Sequence, residues 1–292
     1  MRAMAGFASL KPATIKALGK FLWKPSVWIG AIALYLALGT GFWLGQTRLI
    51  FSPSVELDAT PAVVQLAYEE VWLPVGTEQV HGWWVPAAIA SAPTLLVLHG
   101  NSSNIGDFVN RVERFHQLGV SVFLIDYRGY GRSSPTFPSE QKVYADAEAA
   151  WSYLTQTRNI PPSEIFLYGH SLGGAIALYL ADQHPEAAGI IVEATFTTME
   201  AMVNDAVPFP LLPIDWLLHQ RFDSLERVRS LQMPILILHG TGDRRVPVEM
   251  AHILYAAAPE PKTLVLIPDA DHSNVPTVGG RVYRQAIGEF LR

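Results

Sequence analysis

Six short, solidly apolar runs, each separated from the next by a segment of helical periodicity, constrain this chain more than any other feature. They are Thr94–Leu98, Val120–Ile125, Ile165–Tyr168, Ala188–Ala194, Ile235–Leu238 and Thr263–Ile267. A strand that is apolar on both faces must be covered on both faces, so the alternation predicts a parallel sheet between two layers of helices. Residues 104–118, Glu140–Thr157, Ser171–Gln183, Val248–Ala257 and Val278–Leu291 carry the helical patterns. Val64–Leu73 and Val80–Pro86 flank the turn-rich PVGTEQ and read as a hairpin ahead of the parallel part. No internal repeat or low-complexity segment interrupts the pattern.

In open sheets of this kind, chemistry gathers at the carboxyl ends of the strands. Those ends read His99-Gly100-Asn101, Asp126-Tyr127-Arg128, Gly169-His170-Ser171, Thr195-Phe196, His239 to Asp243, and Asp269 to His272. A hydroxyl, a carboxylate and an imidazole therefore follow one another along the chain as Ser171, Asp243 and His272. That is the order a strand–nucleophile–helix turn requires. Serine at its ordinary pKa is a weak nucleophile. A histidine removes its proton, and a carboxylate fixes the histidine tautomer and stabilises the imidazolium. The oxyanion would meet the backbone N–H groups of Leu172 and Asn101.

Each member has a plainer reading by itself. Serine is a favoured helix N-cap, and Gly-x-Ser-x-Gly arises by chance in about one chain in ten of this length. Asp243 sits in the turn-rich GTGDRR, and His272 in a loop. Joint placement at strand ends, in order, selects the catalytic reading. Glu193 at another strand end is the second choice of acid and Asp271 the third. His99 and His239 read as loop-ordering residues, and Asp126 and Arg128 as structural, a buried polar pair or a turn contact. GYGRSS after VFLID resembles the start of a dinucleotide fingerprint, but Ser134 replaces its third glycine, so no nicotinamide cofactor is expected.

Composition narrows the classes further. A net charge of −5 with 16% charged residues offers no basic surface for nucleic acid. The absence of cysteine excludes disulfides, thiolate nucleophiles and Cys-ligated metals. No metal and no cofactor is expected.

Residues 25–47 contain no charged side chain, a length that crosses about 30 Å of hydrocarbon as a helix. Trp23, Trp28 and Trp43 lie toward its two ends. Arg2, Lys11, Lys16, Lys20 and Lys24 precede it, and the first acid is Glu56. The positive-inside rule then makes 1–24 a basic cytoplasmic N-terminus, 25–47 an uncleaved signal anchor, and the rest translocated to the periplasmic, lumenal or extracellular side. A cleaved signal peptide, with Ala37-Leu38-Gly39 as its small-residue site, is the competing reading. Residues 48–62, with Pro and Ser and no periodicity, read as a linker, and 63–292 as the catalytic domain.

The motifs RLIFSPS, VLHGNSSNIGDF, IDYRGYGRSSP, YGHSLGGAIAL, RFDSLERVRSLQMPILILHGTGDRRVP and PDADHSNV together resemble the α/β-hydrolase superfamily. Within it they are similar to the membrane-anchored, serine-aminopeptidase-like acyl hydrolases. The resemblance spans nearly everything from Arg48 onward. It implies an eight-stranded, mostly parallel sheet with helices on both faces, Ser171 as nucleophile, Asp243 as acid, His272 as base, and Asn101 and Leu172 as oxyanion hole. Ser102, Ser103, Asp271 and Ser273 make the surroundings more polar than in such relatives.

The span 195–233 is where such folds insert a lid, and VPFPLLPIDWLLHQRF within it suggests an apolar rim. Ser102, His170, Phe196, Phe209, Leu212 and Trp216 are the expected pocket residues, with Leu211 and Leu217 beside them. Beside a membrane anchor, such a rim favours a lipid-like or acylated ester or thioester as the substrate. An aminopeptidase, holding the substrate amine on Glu193, Glu200 or Asp205, and a non-catalytic scaffold are the alternatives.

Overall fold

The computed structural model describes residues 24–206 and 212–292. The unit from Thr47 to Arg292 holds the whole sheet, and residues 24–46 belong to a separate unit. The elements run α1 (Pro25–Ile50), β1 (Glu69–Val75), β2 (Glu78–Val85), β3 (Thr94–Leu98), α2 (Val109–His116), β4 (Ser121–Ile125), α3 (Glu140–Ser152), β5 (Ile165–His170) and α4 (Leu172–Gln183). They continue with β6 (Gly189–Glu193), α5 (Met199–Ala206), α6 (Ile214–Leu217), α7 (Ser224–Ser230), β7 (Ile235–Gly240), α8 (Val248–Ala257), β8 (Lys262–Ile267) and α9 (Val275–Phe290).

The eight strands form one sheet in the order β1-β2-β4-β3-β5-β6-β7-β8. β1, β2 and β4 pair antiparallel, and every pair from β4 to β8 is parallel. β3, β4 and β6 are buried along their whole length. That burial on both faces is why their sequences show no alternation. Burying one such Val, Leu or Ile side chain contributes about 1.5–3 kcal/mol.

The chain leaves β3 toward β4 on one side and returns to β5 on the other. The topological switch therefore lies between the ends of β3 and β5, where Leu98 pairs with Gly169. A crevice opens at such a point because the two connections depart in opposite directions. The fold alone thus brings Gly100 and Asn101 beside His170 and Ser171.

Three local readings shift. The hairpin strands begin at Glu69 and extend to the two-residue turn Gly76–Thr77, because Gly76 takes φ 62° and closes it tightly. Val64, the expected start of the first strand, instead ends a 3-10 turn that begins at Pro61. The last helix starts earlier, at Val275, and is broken at Gly280 (φ 45°).

α1 is 26 residues long and is the one helix among the described residues long and apolar enough to cross a membrane. At 1.5 Å per residue it measures about 39 Å. Length and hydropathy alone do not separate it from a signal sequence near an N-terminus. Trp28, Ile29, Leu34 and Leu38 are all exposed and point to different sides of the helix, so its apolar surface is not confined to one stripe.

The expected linker 48–62 has no regular structure before Pro61, yet it is no free tether. Phe51 is 2% exposed and packs edge-on against Phe222. Backbone and side-chain bonds tie Ile50, Ser52, Ser54 and Glu56 to the loops after β3 and β4. Its Pro and Ser content marks irregular backbone, not mobility.

Candidate active site

Ser171 stands between β5 and α4 with φ 56° and ψ −122°. This left-handed backbone costs a non-glycine residue about 1–3 kcal/mol, and the neighbours enforce it. The Ser171 N–H donates to Glu193 O at 2.9 Å, and Thr195 Oγ1 donates to Ser171 O at 2.8 Å. A Cβ on Gly169 would overlap the Gly173 carbonyl, and one on Gly173 would overlap the carbonyls of Leu98 and His99. The turn is as tight as its glycines permit. Ser171 makes no capping bond to α4. Its Oγ lies 2.9 Å from His272 Nε2.

His272 Nδ1 lies 2.7 Å from Asp243 Oδ2. A carboxylate there keeps the proton on Nδ1, which leaves Nε2 to accept from the Ser171 hydroxyl. Asp243 Oδ1 accepts the N–H groups of Arg245 at 2.8 Å and Val246 at 2.9 Å, which fixes the carboxylate plane. Burial alone would raise the Asp243 pKa. The hydrogen bonds from His239, His272 and the Val246 N–H outweigh it and hold the group well below the usual carboxylate range. His239 is the loop-ordering residue expected, with Nε2 donating to Val246 O at 2.9 Å.

The two other candidate acids are engaged elsewhere. Glu193 is fully buried and accepts from Arg111 Nη1 at 2.5 Å and from the hydroxyls of Tyr168 and Tyr283 at 2.7 Å each. Asp271 Oδ1 accepts the N–H groups of Ser273 at 2.9 Å and Asn274 at 3.0 Å, and so turns the chain into α9. Arg111 reaches on to Ser273 O at 3.2 Å, coupling the buried Glu193 to the loop that carries His272. His170 Nε2 donates to His272 O at 3.0 Å. Burial first, and the Arg111 charge second, push the His170 pKa down to about 3, so its ring is neutral.

On the β3 side, a Cβ at Gly100 would stand 3.4 Å from Ser171 Cβ, so this loop lies directly on the serine. The hydroxyls of Tyr127 and Tyr130 donate to His99 O at 3.0 Å and Asn101 O at 2.7 Å. With those carbonyls engaged, the N–H groups of Asn101 and Leu172 are left without an acceptor among the described residues. Asp126 and Arg128 are both buried, but each bonds other residues and they do not form a pair. Asp126 accepts the Ile105 N–H at 2.9 Å, and Arg128 Nε bonds Asp146 at 2.6 Å.

A cleft of about 180 Å³ opens at Ser171, walled by Ser102, Ser103, Asp107, Arg111, Arg245 and Phe108. Of the expected pocket residues, Ser102 and His170 line it. Phe196 is buried at 3% exposure, Leu212 is half-buried, Trp216 is 86% exposed, and none of the three is on this wall. Phe209 and Leu211 lie outside the described residues. Arg111, Tyr127, Tyr130 and Arg245 escaped the sequence reading. The tyrosines sit at the end of the strand beside β3, a signal that was available. Arg111 lies inside a helix and carries none. Among the described residues no three His, Asp or Glu side chains converge to hold a metal ion.

Residues 90–227 match the family model described as serine aminopeptidase, S33. An uncharacterized protein of Mycobacterium tuberculosis is 36% identical over 265 residues, covering 89% of this chain and 93% of that protein. The alpha/beta hydrolase domain-containing protein WAV2 of Arabidopsis thaliana is 30% identical over 285 residues, covering 90% of this chain and 91% of its own. The esterase Pf2001 of Pyrococcus furiosus superposes with a TM-score of 0.69 at 21% identity, over 83% of this chain and 98% of that structure.

Proposed function

This chain belongs to the α/β-hydrolase superfamily, and from that premise we propose that it is a serine hydrolase that cleaves carboxylic ester or thioester bonds through an acyl-enzyme on Ser171. The observation that carries the reading is the continuous path from Ser171 Oγ to His272 Nε2 at 2.9 Å and from His272 Nδ1 to Asp243 Oδ2 at 2.7 Å. His272 takes the hydroxyl proton as Oγ attacks the carbonyl carbon. Asp243 stays ionised and stabilises the imidazolium, and the Asn101 and Leu172 N–H groups receive the oxyanion. Collapse expels the alcohol or thiol, which takes the proton back from His272. Water, deprotonated by the same imidazole, then releases the acid.

The cleft favours an ester over a peptide with a free amine. A peptidase of the amino-terminal kind needs a carboxylate for the substrate's ammonium, and Glu193 is committed to Arg111 and two tyrosines. Asp107 is on the wall, but its Oδ2 already accepts the Asn104 N–H at 3.2 Å, and Arg245 lines the same cleft. The esterase neighbour is consistent with this choice.

In this reading α1 is a single-pass anchor with the N-terminus cytoplasmic and the unit from Thr47 on the opposite side, and 195–233 serves as a short lid. A C-terminal reporter that proved cytoplasmic would overturn the orientation. For the chemistry, a fluorophosphonate should label the full chain and spare Ser171→Ala. p-Nitrophenyl esters of graded length should be hydrolysed while aminoacyl anilides are not. Labelling that survives Ser171→Ala, or anilides turned over faster than every ester, would refute the assignment.

A further inference from the structure

The RLIFSPS motif lies where α1 runs into the catalytic unit, and the mechanism above leaves it without a role. Its backbone meets one residue of the oxyanion loop twice. Asn101 Nδ2 donates to Ile50 O at 2.7 Å, and the Ser52 N–H donates to Asn101 O at 3.1 Å. The two bonds run in opposite directions across one residue, so they fix its rotation as well as its position. Phe51, between them, is 2% exposed against Phe222 and plugs the strip into the core.

A second clamp holds the far end of the same loop. Asn104 Nδ2 donates to Glu56 O at 2.5 Å and lies 3.3 Å from Ser54 Oγ, while the Gly131 N–H donates to Ser54 O at 2.9 Å. The strip Ile50–Glu56 therefore runs along the loop from Asn101 to Asn104 and grips both ends. Ser102 and Ser103, at the cleft, are the stretch left between the grips.

We propose that Ile50–Ser52 is the positioning element of the oxyanion loop, acting through the side-chain amide of Asn101 to aim that residue's own N–H at the reacting carbonyl. The inference rests on the serine-hydrolase reading. Its physical basis is the steepness of oxyanion stabilisation: losing one donor costs about 10²–10³ in kcat, and a misplacement of about 1 Å costs about 10². Neither affects how the ground-state substrate binds. The strip that ends the membrane-length helix then sets the rate of the chemical step, and the substrate pocket sets KM.

The test uses the full chain in detergent micelles. The second-order rate of fluorophosphonate labelling, kcat and KM on a p-nitrophenyl ester, and the melting midpoint are measured together. Asn101→Ala, Asn101→Asp and Phe51→Leu are compared with wild type. Asn101→Asp is isosteric but presents no N–H to the Ile50 carbonyl. Both Asn101 variants should lose about 10–100-fold in kcat and in labelling rate, with KM changed by less than about threefold. Affinity for a trifluoromethyl ketone, whose hemiketal with Ser171 Oγ carries an oxyanion like that of the transition state, should fall by the same factor as kcat. Phe51→Leu should show the same pattern at about 3–10-fold, and it supplies the answer if the Asn101 variants do not fold. Wild-type kcat and labelling rate in the folded variants, with only the midpoint lowered, would overturn the proposal and leave the hydrolase reading standing. A wild-type chain that never labels would overturn both.

Discussion

Replacing Glu193 by Gln removes one negative charge from the centre of a buried network, and its cost separates a structural carboxylate from a catalytic one. Glu193 has no exposed surface, and the Arg111 side chain bonded to it is 12% exposed. Burial would raise the Glu193 pKa, but the Arg111 charge and the bonds from Arg111 and Tyr168 more than offset it, so the group is held below its ordinary value. Glutamine keeps one accepting oxygen for three donors and turns an NH2 toward one of them. The guanidinium is then desolvated without its counter-charge. Breaking a buried pair from one side in this way costs about 3–5 kcal/mol. At about 2–4 °C per kcal/mol for a unit of this size, the midpoint should fall by roughly 6–20 °C. Differential scanning calorimetry of the full chain in detergent reads this directly. Arg111→Met combined with Glu193→Leu should recover most of the loss, because no charge is then left buried. At temperatures well below its midpoint, Glu193→Gln should still be labelled by a fluorophosphonate, more slowly because the Arg111–Ser273 tether to the His272 loop is weakened. A midpoint equal to wild type, or labelling abolished in folded Glu193→Gln while Asp243→Asn stays active, would refute the reasoning and give the acid's role to Glu193.

Other outcomes follow from the same geometry. Asp243→Asn should lower kcat by about 10⁴, because the amide favours the wrong His272 tautomer, and a pre-steady-state assay would place the loss in acylation. Ser171→Gly should be inactive but more stable by about 1 kcal/mol, a rise of about 2–4 °C in the midpoint, since glycine adopts the φ of 56° without strain. His170 is neutral in the folded unit, with its pKa pushed down to about 3 against an unfolded value near 6.5. The unfolded chain binds the extra proton, so stability is present above pH 6.5 and is lost as pH falls, by up to about 1.4 kcal/mol per unit. Urea midpoints at pH 7, 5 and 4 should show this slope, and His170→Phe should flatten it.

What was legible in the sequence was whatever a short stretch of chain decides locally. A fully buried parallel strand must be apolar throughout, so β3 to β8 could be found and their ends read for chemistry. Asp243 was preferred to Glu193 and Asp271 because acid and base then stand on the last two strand ends, and the geometry shows the other two acids bonded elsewhere. The pocket was not legible, because its wall is assembled from loops far apart in sequence. Phe196 and Trp216 looked alike as apolar lid residues, yet one is buried and the other exposed. The strip 48–62 misled for a related reason. It is held through its backbone by the amides of Asn101 and Asn104, and such bonds leave no pattern in the side chains of the strip itself.

The proposed catalytic groups share a design that explains how loops so distant in sequence meet within a hydrogen bond's length. Each stands one to five residues past a strand end, where the sheet fixes the incoming backbone, and each is then held by a second, independent contact. For Ser171 these are the Glu193 carbonyl and Thr195, for Asp243 the Arg245 and Val246 N–H groups, and for His272 the Asp271 turn and the His170 ring. For the oxyanion loop they are Tyr127, Tyr130 and the strip from Ile50 to Glu56. The strand alone would leave a side chain free to swing by an ångström or more, which is enough to lose about 10² in rate. Most of these second contacts are single hydrogen bonds, each worth only about 0.5–1.5 kcal/mol to the fold. Removing one should therefore cost far more in kcat than in stability, and the buried Glu193–Arg111 pair is the exception because it anchors the core as well as the loop.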